Sequence, residues 1–283
     1  MAETPTIAAS YTFDPFSRHQ FYHNVNESLV RNVLERLDTD RPKGERVRVV
    51  ELASGTGAVT ELIVDTLERL ERPASVIGVE PSFEAIAVAR ERLQGRDVQF
   101  EQGDVDRLAE ITSDADAIFF CNAIHLIPNK AETVAKIGAA LASGGYFAAN
   151  STFFDGAYTP GTERFYPLWI RRALGWLRQH HPDIRPSRTE KAMARQFLTE
   201  EQYAELLSSH GLHIVSSTRE QAALPTQAWR DISNYWLFIE GALPGVPIPV
   251  GAEALEHGAI EALNELQLTE VPRDWLQLVA QRI

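Results

Sequence analysis

The chain predicts an α/β fold, a Rossmann-like sheet that is mostly parallel with helices on both faces, and three observations predict it. Val47-Arg48-Val49-Val50-Glu51-Leu52 is an apolar, β-branched run closed by the turn Gly55-Thr56-Gly57, and Leu62, Ile63, Leu67 and Leu70 follow at helical spacing. Ser75-Val76-Ile77-Gly78-Val79-Glu80 is a second apolar run ending in an acid, and Glu80 lies 23 residues beyond Gly57. Further apolar runs, Val98-Gln99-Phe100 before Gly103-Asp104 and Asp116-Ala117-Ile118-Phe119-Phe120-Cys121-Asn122, alternate with helical patterns. Strands of a parallel sheet, buried on both faces, read this way.

The first strand and its turn organise the rest. Gly55 and Gly57 let the backbone turn sharply and let a ligand approach with no Cβ in the way. The helix that follows offers unpaired N–H groups to a negative group. A nucleotide-like ligand therefore belongs outside the carboxyl end of this strand. A dinucleotide fingerprint would place its third glycine at position 60, where this chain has Thr60. Glu51 would also repel a pyrophosphate, whereas it suits a ligand with an ammonium group. Glu80 falls near the roughly 20-residue spacing at which a second-strand acid accepts from ribose hydroxyls.

Glu51-Leu52-Ala53-Ser54-Gly55-Thr56-Gly57 resembles motif I of the class I S-adenosylmethionine-dependent methyltransferases, Asp/Glu-x-Gly-x-Gly-x-Gly, with Ala53 in place of the first glycine. Leu141-Ala142-Ser143-Gly144-Gly145-Tyr146-Phe147 resembles that family's turn into the fifth strand, and Asp274–Ala280 its last strand, which runs antiparallel. The resemblance implies S-adenosyl-L-methionine as cofactor. It places Glu51, Ala53, Gly55 and Gly57 under the methionine end, Glu80 and Pro81 beside the ribose, Asp104 and Val105 at the adenine, and Asn122 after the fourth strand. Metal-dependent members cluster carboxylates near the end of the fourth strand. Here that end reads Asn122-Ala123-Ile124-His125, so no metal is expected.

Composition bounds the function. The chain has 283 residues and a formal charge of −12, which argues against a general nucleic-acid binder. Cys121 is the only cysteine, so no internal disulfide and no cysteine-rich metal site can form. Met1 to Ser10 shows no secretory pattern, and no run approaches the roughly 20 apolar residues of a membrane span. The expectation is a cytoplasmic protein with a small-molecule substrate, no nucleic acid and no membrane partner. Oligomeric state is not legible.

In chain order, residues 1–45 read as an N-terminal helical lid, with 1–10 loose and a helix from about Gln20 to Leu37. Tyr22 and Asn26, four apart, either face the methionine end or pack and solvate ordinarily. Residues 46–151 and 196–283 read as the methyltransferase core, with Ser82 and Asn129 as helix caps and Thr199 with Gln202 as a capping box. Residues 152–195 and 224–250 read as cap insertions over the substrate pocket, rich in aromatics such as Phe153, Phe165, Trp169, Trp229 and Trp236.

His125 is the catalytic candidate, a general base if the acceptor must lose a proton; the competing reading is packing or a backbone hydrogen bond. His19 and His23 are weaker candidates. The expected activity is methyl transfer to a small apolar or aromatic metabolite. Its anionic end would be gripped by one or two of Arg164, Arg171, Arg172, Arg178, Arg185, Arg188, Lys191 and Arg195, unless these form only a solvated face. The rivals are an NAD-dependent oxidoreductase and a non-catalytic S-adenosylmethionine-binding protein.

Overall fold

A computed structural model describes residues 11–187 and 197–283; Arg188, Lys191, Arg195 and residues 1–10 lie outside the described residues. Along the chain run α1 (Asp14–Ser17), α2 (Gln20–Asp40), β1 (Val47–Leu52), α3 (Ala58–Arg69), β2 (Ala74–Glu80), α4 (Phe83–Arg92), β3 (Val98–Gln102), α5 (Leu108–Ile111) and β4 (Ala115–Cys121). Then come α6 (Lys130–Ala140), β5 (Leu141–Ser151), α7 (Phe165–His180), α8 (Glu200–Ser208), β6 (Leu212–Pro225), α9 (Thr226–Ser233), α10 (Trp236–Ala242), α11 (Ile248–Leu266) and β7 (Glu270–Arg282).

The seven strands form one sheet in the order β3-β2-β1-β4-β5-β7-β6. β1 pairs in parallel with β2 and with β4, while β7 pairs antiparallel with β5, Phe147 standing opposite Ala280. The strand order therefore reverses between β1 and β4. In an open α/β sheet that switch point, at the carboxyl ends, is where ligands bind. β1 and β4 are buried along nearly their whole length, as strands covered on both faces must be.

The expected caps form. The Ser82 hydroxyl accepts from the Ala85 N–H at 3.1 Å, and the Asn129 side chain accepts from the Glu132 N–H at 3.3 Å. Thr199 and Gln202 close a reciprocal capping box. Each cap satisfies an end N–H and contributes about 1 kcal/mol.

The described residues divide into two compact units. The sheet unit comprises 23–157, 197–220 and 275–283, and its interior joins Val50, Ile118, Phe147, Tyr203 and Leu278. The helical unit comprises 11–22, 158–187 and 221–274. In it α7 meets α11 at Gly258, where a Cβ would lie 2.6 Å from the Ala173 nitrogen, so only glycine lets the two backbones approach so closely. Trp169 is fully buried there, donating its indole N–H to the Leu255 carbonyl at 2.6 Å and stacking on Phe238 at 5.1 Å. Phe165 and Trp229 pack against it. These insertion aromatics form a packed interior within this unit.

Candidate cofactor site

The turn between β1 and α3 takes left-handed backbone at Ala53 (φ 54°), Gly55 (φ 54°) and Gly57 (φ 81°). The Gly57 N–H closes the turn on the Ser54 carbonyl at 2.9 Å. The two glycines serve different ends. A Cβ on Gly57 would lie 3.1 Å from the Ala89 Cβ, so this glycine lets the start of α3 pack on α4. A Cβ on Gly55 would meet no protein atom within 4 Å. Ala53 adopts the same conformation with its Cβ present, at a cost of roughly 1–2 kcal/mol.

Two carboxyl groups flank the turn. Glu80, at the end of β2, accepts from the Gly55 N–H at 2.9 Å and, through its other oxygen, from the Ser82 N–H at 3.0 Å. It thereby ties the end of β2 to the glycine turn after β1. Burial pushes the Glu80 carboxyl above its ordinary range, and the two N–H donors pull it back. Each carboxylate oxygen has two lone pairs, so both can still accept from a ligand hydroxyl. Glu51 is only 2 % exposed, and its carboxyl accepts from the Thr60 hydroxyl in the first turn of α3. Burial pushes Glu51 up to about 8; the Thr60 bond opposes the shift and the nearby Glu80 charge adds to it. Glu51, expected as a negative charge, thus carries a proton at pH 7 in the protein alone.

Beyond β3, Asp104 is exposed and caps the short 3₁₀ turn Val105–Arg107 by accepting from the Asp106 N–H at 2.8 Å; Val105 packs against the main core. Pro81 is exposed, its carbonyl accepting from the Gln102 amide at 3.1 Å.

At the end of β4, Asn122 has φ 55° and stands in a polar network. Its amide donates to Asn26 at 3.0 Å, its carbonyl accepts from the Trp275 indole at 2.8 Å, and its backbone N–H donates to Asn150. Asn26 is fully buried and accepts from Asn150 as well, at 2.9 Å.

His125 lies in the following 3₁₀ turn, stacked on Phe153 at 4.4 Å and bonded through Nδ1 to the Ser151 hydroxyl at 3.0 Å. Burial, helped by the Lys130 charge, pushes His125 down to about 3. It is neutral at pH 7 and too weak a base to draw protons from an alcohol or amine. Its stack on Phe153 and its bond to Ser151 are what a packing residue makes.

Glu51, Ala53, Gly55, Gly57, Glu80, Pro81, Asp104, Val105, Asn122 and His125 all fall in the sheet unit, at the carboxyl ends of β1 to β4. Tyr22 falls in the helical unit, where it packs edge-on against Phe13 at 5.5 Å and Phe16 at 6.0 Å. Of the candidate arginines, Arg164, Arg171, Arg178 and Arg185 are exposed, and Arg171 and Arg172 face Glu265. A solvated face accounts for these residues.

Sequence reasoning missed two features. In the sequence Thr60 stands only as a departure from a glycine motif; the structure shows it as the donor to Glu51. The Asn26–Asn122–Asn150–Trp275 network joins two positions marked in the sequence, Asn26 and Asn122, to two that are not.

Residues 49–145 match the family described as Methyltransferase domain, a stretch running from β1 into β5 and containing nearly all of these positions. Trans-aconitate 2-methyltransferase of Variovorax paradoxus is 34% identical over 107 residues, 38% of this chain and 39% of the relative. Malonyl-[acyl-carrier protein] O-methyltransferase of Bacillus cytotoxicus is 30% identical over 87 residues, 31% of this chain and 29% of the relative. The chain thus matches well under half the length of either relative. Among solved structures, a candidate sarcosine dimethylglycine methyltransferase from Galdieria sulphuraria superposes with TM-score 0.57 at 11% identity, covering 98% of this chain and 93% of its own. A Haemonchus contortus phosphoethanolamine N-methyltransferase gives 0.53 at 15% identity, covering 98% and 57%. At such identities the likeness is one of fold.

Proposed function

We propose, from the premise that the sheet unit is a class I S-adenosylmethionine-dependent methyltransferase domain, that this chain transfers a methyl group from S-adenosyl-L-methionine to a small molecule bearing a carboxylate. The observation that carries the cofactor reading is the Glu80 carboxylate fastened to the Gly55 N–H at the switch point of the sheet. The residues present fit the cofactor. Glu80 would accept from the ribose hydroxyls, Gly55 would leave the approach free of a Cβ, Glu51 would face a positively charged end, and Asp104 with Val105 would meet the adenine. When bound, the cofactor supplies an electrophilic methyl group on a cationic sulfur. The protein's part is then to hold the acceptor in line and close.

The carboxylate acceptor is supported by two relatives named for acidic acceptors, trans-aconitate and a malonyl group. It also fits His125. A carboxylic acid, with a pKa near 4, is already ionised at pH 7 and needs no general base. Selection of the acceptor is assigned, as part of this proposal, to the lid of residues 1–45 and the insertions 152–195 and 224–250. An NAD-dependent oxidoreductase is disfavoured by Thr60, which stands where the dinucleotide fingerprint needs its third glycine.

The test is a screen of small organic acids against their methyl esters with radiolabelled cofactor. Label should enter the acids and not the esters, whose oxygen already carries the methyl group. Equal labelling of acid and ester would discard the carboxylate acceptor. Tight cofactor binding with no transfer to any acceptor would favour the non-catalytic binder.

A further inference from the structure

The buried Glu51 carboxyl is more than the cofactor reading requires. It sits on the central strand β1, between Gly78 of β2 and Phe119 of β4 in register. The groups that face it come from three neighbouring elements. Thr60 of α3 donates its hydroxyl, Glu80 at the end of β2 contributes negative charge, and Cys121 at the end of β4 contributes a buried thiol. Among the described residues no lysine, arginine or histidine forms an ion pair with Glu51. A carboxylate left in such a place has one hydroxyl to stabilise it and a second carboxylate to repel it. Ionising it costs several kcal/mol unless a cation arrives.

We propose that binding of S-adenosylmethionine is coupled to release of one proton from Glu51, so that the affinity for the cofactor rises with pH across the neutral range. This rests on the cofactor reading above. In the protein alone the carboxyl keeps its proton, hydrogen-bonded within the cluster. The cofactor brings an ammonium and a sulfonium with one carboxylate of its own, a net single positive charge, and the Glu51 carboxyl becomes the anion. The O–H bond of Glu51 breaks and its proton passes to solvent. The electron pair stays on the carboxylate, which pairs with the cation. Charge balances: one cation enters the site and one proton leaves it. Burial pushing Glu51 to about 8 agrees with this assignment. Thr60 sets the range over which coupling operates, because its hydroxyl stabilises the anion in both states.

The experiment is calorimetric titration of the whole chain with S-adenosylmethionine at pH 6.5, in buffers of different ionisation enthalpy. At this pH the cofactor's ammonium, an α-amino group of pKa about 8, is protonated throughout. The slope of observed heat against buffer enthalpy should correspond to nearly one proton released. Kd should fall about tenfold between pH 6 and pH 7, the change that one released proton produces. Glu51→Gln, isosteric with the protonated side chain, should bind with no proton release and a Kd flat over that range. Thr60→Val should still release its proton, with the affinity rise displaced to higher pH. Binding with no proton release in the wild type, or equal release in Glu51→Gln, overturns the inference and leaves the cofactor reading standing. No binding at any pH overturns both.

Discussion

Replacing Gly55 and Gly57 separately by alanine divides the turn into its two functions. Gly57 has φ 81°, and a Cβ there would lie 3.1 Å from the Ala89 Cβ and 3.3 Å from the Ala89 Cα. The left-handed conformation costs alanine roughly 1–2 kcal/mol. Forcing a methyl group against α4 backbone adds about 1–3 kcal/mol. Gly57→Ala should therefore lose about 2–5 kcal/mol of stability, and a protein of this size loses about 2–4 °C in Tm for each kcal/mol. Gly55 has φ 54° and no protein atom within 4 Å of the added Cβ, so Gly55→Ala should lose only the conformational part, roughly 1–2 kcal/mol. Its larger effect should fall on affinity, because on the proposed cofactor reading the new methyl group stands in the open space the ligand would fill. Urea unfolding at pH 7 measures the first quantity, and calorimetric titration with S-adenosylmethionine the second. Equal stability losses, together with unchanged affinity in Gly55→Ala, would refute this division of labour.

Three further outcomes follow from the carboxyls and the histidine. Glu80→Ala removes an acceptor from the Gly55 and Ser82 N–H groups and, on the proposed reading, from the ribose, each charge-assisted bond contributing about 1.5–3 kcal/mol; the cofactor Kd should rise by at least about 100-fold, and an unchanged Kd in a folded variant would remove Glu80 from the site. Glu51 has its folded pKa raised to about 8 from 4.5, so the folded state holds a proton that the unfolded state releases between those values. Stability of the ligand-free wild type should accordingly fall with rising pH, by up to about 1.4 kcal/mol per unit from pH 4.5 to 8, and level off above. Glu51→Gln should lack this slope, and parallel denaturation midpoints of the two proteins at pH 5, 6, 7 and 8 would contradict it. His125, pushed to about 3, should show no imidazole titration between pH 5 and 8 by NMR; a midpoint near 6.5 would place its ring in water.

Much of the fold was legible because its signals are local. The strand–turn–helix of β1 and α3, the caps at Ser82 and Asn129, and the Thr199–Gln202 box each depend on residues a few positions apart. The antiparallel last strand followed from the resemblance rather than from periodicity. The charge state of Glu51 was not legible, because it depends on burial and on Thr60, nine residues away on another element. The asparagine network was hidden for a related reason: Trp275 meets Asn122 across 153 residues of sequence. The aromatics of α7 show the limit of periodicity. A helical stripe announces that Phe165 and Trp169 are buried, and the same stripe serves a pocket wall or a packed interior. The arginines of that helix carry no pattern that separates a solvated face from an anion grip.

The central claim is that the glycine turn, with Glu80 fastened to it, holds S-adenosylmethionine and not a dinucleotide. Calorimetric titration of the purified chain at pH 7.5 with S-adenosylmethionine, S-adenosylhomocysteine and NAD tests it most directly. The account predicts saturable binding of the first two at one site per chain, mutually competitive, and no binding of NAD. Saturable binding of NAD, with S-adenosylmethionine giving no heat and failing to displace it, would contradict the account.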